Sequence, residues 1–432
     1  MHASKLIHLY PSTARTSASQ MAHEINSLLR FSGREQAAWS LHAGDGGQFQ
    51  LNLCGKSTGG DGLSVAVNDQ EVRTSETVDT GWFHARLSLG QISLKPGPNT
   101  LTLRLATARG RRPLDLRALE MIACDHLATW QREYRNAAAA RADHSWMSAA
   151  GYGVMVHWVD ESAAMTPCRS SYEQAVAVFD VERFAQQMQD IGAGWVLFTV
   201  SHTQPHCPAP LASWERAFPG RTTRRDLIAD LIAALNRRGI RLMLYVSSHV
   251  FLQQTGPDHA AAEAAHLAIL EECGRRYGTA LAGWWFDGWG WITENMPAIN
   301  AECFYCAAKI GNPQRLVSCN FWTCVNLHPW SDFWAGEVVL PPPPMPGQRF
   351  YTTGPAVGQQ RHLLLCLNQD WIYKGPSQVS RRLVSDEALI ACIAQEQSLG
   401  GAVTINLAVS REGQIEPASM ETMRRLRSGL CR

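Results

Sequence analysis

At 432 residues the chain exceeds one ordinary domain and leaves room for two or three folded units, one of which could be a barrel of roughly 250 residues. Its 39 basic and 38 acidic residues give a net charge of +1, which excludes the one-signed field that draws a protein to nucleic acid or an anionic membrane and fits a neutral substrate. Fifteen Trp beside only 18% charged residues supply flat faces that can stack on the apolar side of a sugar ring, although for any one of them core packing is the commoner use.

The opening Met1-His-Ala-Ser-Lys-Leu-Ile-His has no apolar stretch long enough for a signal peptide or a membrane span. Twelve Cys are scattered without the spacing of a disulfide framework, which points to a soluble, cytoplasmic protein with reduced thiols. From about 32 to 124, apolar and polar residues alternate over 47–53, 63–67, 84–89 and 99–105. Gly59-Gly60-Asp61-Gly62, Asn68-Asp69 and Pro96-Gly97-Pro98-Asn99 supply turn chemistry between them. Residues 1–124 therefore read as a small antiparallel β-sandwich. Its Pro-Gly-x-Asn turn followed by a strand resembles carbohydrate-binding modules, and a purely structural buttress fits equally well.

Residues 125–146 combine helical periodicity with strong helix formers and read as a linker helix. Beyond it, over 147–432, short apolar runs alternate with amphipathic stretches, the pattern of repeated βα units around a parallel sheet. Eight strands are predicted at 154–158, 195–200, 242–247, 281–286, 316–320, 332–338, 363–368 and 402–407, with helices at 181–191, 225–238, 260–277, 294–310 and 386–398. This is the order of an α/β, (β/α)₈-like TIM barrel, whose chemistry stands at the C-terminal ends of its strands. Cys303-Phe-Tyr-Cys306, inside the helix predicted at 294–310, is a lone CxxC and reads as core packing rather than a metal or redox pair.

The strand ends carry His157 and Trp158, Ser201 and His202, Tyr245 and Ser248, Asp287, Asn320, Glu337, Asn368, Asp370 and Trp371, and Asn406. Asp287 follows Trp284-Trp285-Phe286 directly, and a carboxylate closing so apolar a strand is costly unless paired or functional. Its bland alternative is a helix N-cap. A retaining glycosidase needs two carboxylates about 5 Å apart, and Glu337 is the partner that strand six would supply, with Asp332, Asp370 and Glu294 as alternatives. The Pro-rich run 341–346 after it is expected to form a stiff loop over the pocket mouth. His202, His206 and Cys207 could be read as metal ligands, but they sit in a Pro-rich loop with no nearby carboxylate.

Several of these phrases form an ordered set: Tyr152-Gly-Val-Met-Val-His157-Trp158, Gly192-Ala-Gly-Trp-Val-Leu-Phe-Thr, Arg225-Asp226-Leu, Gly239-Ile-Arg-Leu-Met-Leu-Tyr245-Val-Ser247, Trp285-Phe286-Asp287-Gly288, Asp332-Phe-Trp-Ala-Gly-Glu337, Asn368-Gln-Asp-Trp371-Ile-Tyr-Lys and Gly400-Gly-Ala-Val-Thr-Ile-Asn406. From about 152 to 425 the chain resembles the α-L-fucosidases of glycoside hydrolase family 29. The resemblance implies Asp287 as nucleophile, Glu337 as acid/base, and His157, Trp158, His202, Tyr245, Trp285 and Trp371 as substrate-binding residues. It implies a terminal sugar of an oligosaccharide or glycoside as substrate, with no cofactor, metal, nucleic acid or membrane partner; an oligomer is possible. The chain departs from the family where Val200-Ser201-His202-Thr203 keeps one histidine of a pair, where residues 168–172 lack the family's Glu-Trp-Tyr, and where the sandwich precedes the barrel. A different sugar specificity and a glycan-binding protein without turnover therefore stand as alternatives.

Overall fold

The computed structural model describes all residues except 1–4, 23–26, 32–34, 81–82, 106–113, 160–171, 346, 355, 376–379 and 431–432. The departure expected at 168–172 thus falls, but for Tyr172, outside the described residues. The chain divides into two compact units, one of residues 1–140, 321–329 and 352–357, the other of 141–320, 330–351 and 358–432. No helix among the described residues is long and apolar enough to cross a membrane.

The first unit holds two antiparallel sheets. One orders Ser19–Ala22, Ser27–Phe31, Leu114–Ala123, Gly47–Lys56 and Ala85–Leu94, with Leu6–Leu9 also on Leu114–Ala123; the other orders Arg15–Thr16, Gln36–Ala43, Gly97–Leu105, Thr58–Val67 and Gln70–Asp79. Alternate residues of both, among them Trp39, Leu51, Leu53, Val65, Leu101, Leu103 and Leu116, fill one core. The predicted turn at Asn68-Asp69 forms, with φ of 51° and 64°, the left-handed pair that matches strand twist in a two-residue hairpin. The turn predicted at 59–62 does not: those residues run inside Thr58–Val67, where three shifts of register against Gln70–Asp79 absorb the glycines. The predicted linker helix is two helices, Leu127–Ala140 and Ser145–Ala150, and the division between units falls between them.

In the second unit eight parallel strands curl into one sheet. In chain order they are Tyr152–Val156, Trp195–Ser201, Arg241–Ser247, Leu281–Asp287, Leu316–Cys319, Glu337–Val339, His362–Cys366 and Ala402–Leu407, here called barrel strands one to eight. Their neighbours run five, four, three, two, one, eight, seven, six, so five and six stand at the ends of the ladder. The segment before strand six spans that gap. Asp332 N donates to Val317 O at 2.8 Å, Val317 N donates to the Asp332 carboxylate at 2.7 Å, and Ser318 Oγ donates to Phe333 O at 2.9 Å. Strand six is accordingly shorter than the predicted 332–338, because Asp332 spends its groups on strand five rather than on strand seven.

Helices lie between the strands and begin on the residues that satisfy their orphan N–H groups. Asp180, Asp226, Asp258, Asn300 and Ser385 each accept from backbone N–H groups one turn on. The helix predicted over 294–310 is two, Trp289–Asn295 and Ala301–Ala308, because Pro297 cannot continue the first and Asn300 caps the second. Cys303 and Cys306 lie exposed on the second, so the expectation that they pack in the core is corrected. The proline run does not cover the barrel mouth. Pro341, Pro342, Pro343 and Pro344 line a groove with Ala388, Ala391, Cys392 and Gln395 of helix Asp386–Ser398, outside the strands.

Candidate active site

The period of two along each strand decides what faces the barrel interior. A lower layer contains Met155, Leu197, Met243, Trp285, Leu316 and Leu364. Two residues above Met155, Met243, Trp285 and Leu316 on the same faces come His157, Tyr245, Asp287 and Ser318, and two above Ser318 comes Asn320. Strand eight adds Asn406 in the same sense, above Thr404.

Asp287 ends strand four with 6% of its surface exposed. Tyr245 Oη donates to one carboxylate oxygen at 2.7 Å and Asn320 Nδ2 donates to the other at 2.7 Å, so both oxygens are held as those of an anion are. The same Asn320 nitrogen also donates to Glu337 at 2.5 Å. Sharing one donor, the two carboxylate oxygens cannot stand more than about 5 Å apart, the spacing that double displacement requires. Burial pushes the Glu337 carboxyl up, the negative charge of Asp287 pushes it further, and the Asn320 bond only partly opposes them, so that it rises to about 8. The Tyr245 phenol is likewise driven well above its usual range by burial and by Asp287, and stays a donor.

Backbone geometry aims both acids. Glu337 pairs with Leu364 and Val339 with the very next residue, Leu365, so Val338 is the extra residue of a bulge. Gly336 before it has φ of 62°, and a Cβ there would stand 2.2 Å from His362 O; Val339 after it has φ of 64°, a conformation that β-branched residues rarely adopt. Gly288 follows Asp287 at φ 76°, with His249 packed where a side chain would be.

The wall opposite is aromatic. His157 is buried, its Nδ1 paired with Asn406 Oδ1 at 2.9 Å while Asn406 Nδ2 donates to Trp371 O at 3.0 Å. That second bond orients the amide and makes His157 Nδ1 the donor. The His157 ring meets Tyr245, Trp371 and His202 at centroid distances of 5.4, 5.2 and 5.7 Å, and His202 stacks on Tyr245 at 6.2 Å. Six of the eight predicted site residues, Asp287, Glu337, His157, His202, Tyr245 and Trp371, are thus joined by direct contacts or through Asn320.

Trp158 and Trp285 are not. Strand alternation turns Trp158 outward, where it is 1% exposed among Phe179, Phe198 and Tyr172 and donates to Arg411 O at 3.1 Å. Trp285 is 1% exposed in the layer below Asp287, against Phe333 and His362. Both pack the core. Asp332 is also settled as structural, accepting from Ala142 N, Tyr305 Oη, Lys309 Nζ and Val317 N. Asp370 holds Ser380 instead of facing the pair. Asn320 and Asn406, which tie the site together, were visible only as polar residues at strand ends. His206 pairs with Arg221 and stacks on Tyr172, and no group of three or more His, Cys, Asp or Glu that could hold a metal occurs among the described residues.

Comparison with known proteins follows the same lines. The chain is similar in fold to a family 29 α-L-fucosidase from Bacteroides thetaiotaomicron, solved as a trapped covalent intermediate with 2-fluoro-fucosyl fluoride, at 17% identity and a TM-score of 0.50, covering 68% of this chain and 75% of that one. A bacterial fucosidase solved with a monovalent iminocyclitol inhibitor gives the same identity, TM-score and coverage. No curated protein matches the sequence. The profile of the alpha-L-fucosidase family matches residues 126–428, more than two thirds of the chain, from the first linker helix to the last helix of the barrel, and the chain therefore belongs to the alpha-L-fucosidase family of glycosidases.

Proposed function

We propose that the protein is an exo-acting, retaining α-L-fucosidase in which Asp287 is the nucleophile and Glu337 the acid/base. The single observation that carries this is the Asn320 amide bonded to both carboxylates. One donor holds the acids at nucleophile-to-acid distance, and burial together with the negative charge of Asp287 keeps the proton on Glu337. Asp287 attacks the anomeric carbon as the bond to the leaving oxygen breaks, and the Glu337 proton passes to that oxygen. Glu337, now a carboxylate, takes a proton from water, which attacks the same carbon and releases Asp287 with the original configuration restored. His157, His202, Tyr245 and Trp371 line the seat of the sugar, the first three offering polar atoms and the last an apolar face.

The test is hydrolysis of 4-nitrophenyl α-L-fucoside with the released anomer followed by proton NMR. The α-anomer should appear first, and Asp287→Ala should lower kcat/KM by about 10⁴-fold or more. Release of the β-anomer would displace Glu337 from its role. Sugar binding without turnover by the wild type would leave a lectin-like protein, and turnover of another glycoside alone would change the sugar.

A further inference from the structure

We propose that His249 is a positioning residue for the nucleophile, holding both the Asp287 carboxylate and the turn behind it from the strand-three side. This rests on the reading of Asp287 as nucleophile given above. In the pairing of strands three and four Ser247 stands opposite Asp287, and helix Ser248–Gln254 begins at the next residue. His249, in the first turn of that helix, reaches across to Gly288. A Cβ on Gly288 would stand 2.0 Å from His249 Nδ1 and 2.6 Å from its Cβ, so the half-buried imidazole lies directly on the backbone that follows the nucleophile. Trp291 meets the same ring at a centroid distance of 6.3 Å.

Two grips converge on Asp287. From the strand-five side, Asn320 N donates to Phe286 O at 2.8 Å, Asn320 O accepts from Trp289 N at 3.1 Å, and the Asn320 amide holds one carboxylate oxygen. From the strand-three side, His249 covers Gly288, and Tyr245 Oη holds the other oxygen at 2.7 Å. Ser247 joins these last two. The Tyr245 hydrogen is committed to Asp287, so its oxygen is left to accept. The Ser247 hydroxyl donates to it, opposing the upward push that burial and Asp287 exert on the phenol. With its own hydrogen so placed, Ser247 Oγ accepts from His249 Nδ1 at 3.3 Å. His249 thus carries a proton on Nδ1 and heads a one-way chain of donors, through Ser247 and Tyr245 to Asp287, in which each bond polarises the next. Ser247 and Tyr245 are 2% and 3% exposed, so water does not compete for the inner links. Attack on an anomeric carbon needs the carboxylate oxygen held to a fraction of an ångström, and a phenol fixed at its oxygen keeps that carboxylate from turning.

The test is a double-variant cycle on 4-nitrophenyl α-L-fucoside. His249→Phe keeps a ring against Gly288 but has no donor, and Ser247→Ala cuts the next link. Each should lower kcat by about ten-fold with KM and melting temperature close to wild type. The double variant should fall no further than about two-fold below the slower single one, because both changes break one chain. His249→Asn, whose amide nitrogen takes the place of Nδ1, should recover most of the rate. Losses that multiply in the double variant, an unchanged kcat in His249→Phe, no recovery with Asn, or a loss expressed in KM would each overturn the assignment. If the wild type turns over no glycoside, the catalytic reading fails on its own account. The chain of donors is then judged by heteronuclear NMR of the histidine rings, with His249 assigned by the signal that disappears in His249→Asn. An Nδ1-protonated His249 that changes tautomer in Ser247→Ala supports it; an Nε2-protonated ring, or one indifferent to Ser247→Ala, refutes it.

Discussion

Among single residues, the proposed acid/base Glu337 and its partner Asn320 are expected to set the pH behaviour. A carboxyl raised to about 8 keeps its proton through neutrality and gives it up as pH rises past that value, so the acid needed for the first step is lost on the alkaline side. The kcat/KM profile on a fucosylated disaccharide should therefore hold through pH 7 and fall above about 8. In Glu337→Gln that alkaline limb should vanish together with about 10²- to 10⁴-fold of the rate. Asn320→Ala removes the one bond that lowers Glu337, so the limb should move to higher pH while kcat drops; a limb left in place would show that the amide does not set this equilibrium. Neither effect was legible in the primary sequence. An Asn closing an apolar strand signals an inward polar group, but not that it serves two acids from different strands.

At the scale of the element, the bulge of strand six is what the site depends on. Gly336 needs its positive φ and has backbone 2.2 Å from where a Cβ would stand, so Gly336→Ala should cost about 2 kcal/mol or more and pull Glu337 from Asn320. Thermal melts should show the loss of stability, and activity should fall in the folded fraction as well; a variant with full activity per folded molecule would mean that the bulge does not aim the acid. Strand four behaves differently. Its length, apolarity and closing acid were all readable, because one strand buried on both faces writes a continuous apolar run that ends where its environment changes. Strand six could be placed only roughly, since its hydrogen bonds are divided between strand five, through Asp332, and strand seven, and no local pattern encodes a divided allegiance.

For the whole molecule, the first unit carries a charge network with no counterpart in composition. Glu120 is buried, which alone would raise it, but the charge of Arg86 and bonds from His8 and Asn52 override that cost and hold it down at about 2. Arg86 in turn lies over the rings of Trp130 and Tyr134 and donates to Tyr134 Oη at 2.9 Å, clasping helix Leu127–Ala140 to its sheet. A depressed carboxyl contributes stability above its unfolded value near 4.5 and loses it as pH falls toward 2. Glu120→Gln should therefore unfold this unit more easily by roughly 3 kcal/mol at pH 7, with the difference shrinking in denaturant titrations below about pH 4. A gap independent of pH would assign the effect to packing. The amino-acid sequence by itself determined the alternation of strand and helix, the sandwich before the barrel and the acid at the end of strand four, because hydrophobic period and capping residues act within a few positions of one another. Tertiary structure alone decided which Trp pack and which face the site, and that Glu337, named with alternatives in the sequence, stands beside Asp287 while Asp332 is structural. Those outcomes rest on strand twist, a bulge and one shared amide, which join residues that are dozens of positions apart in the chain.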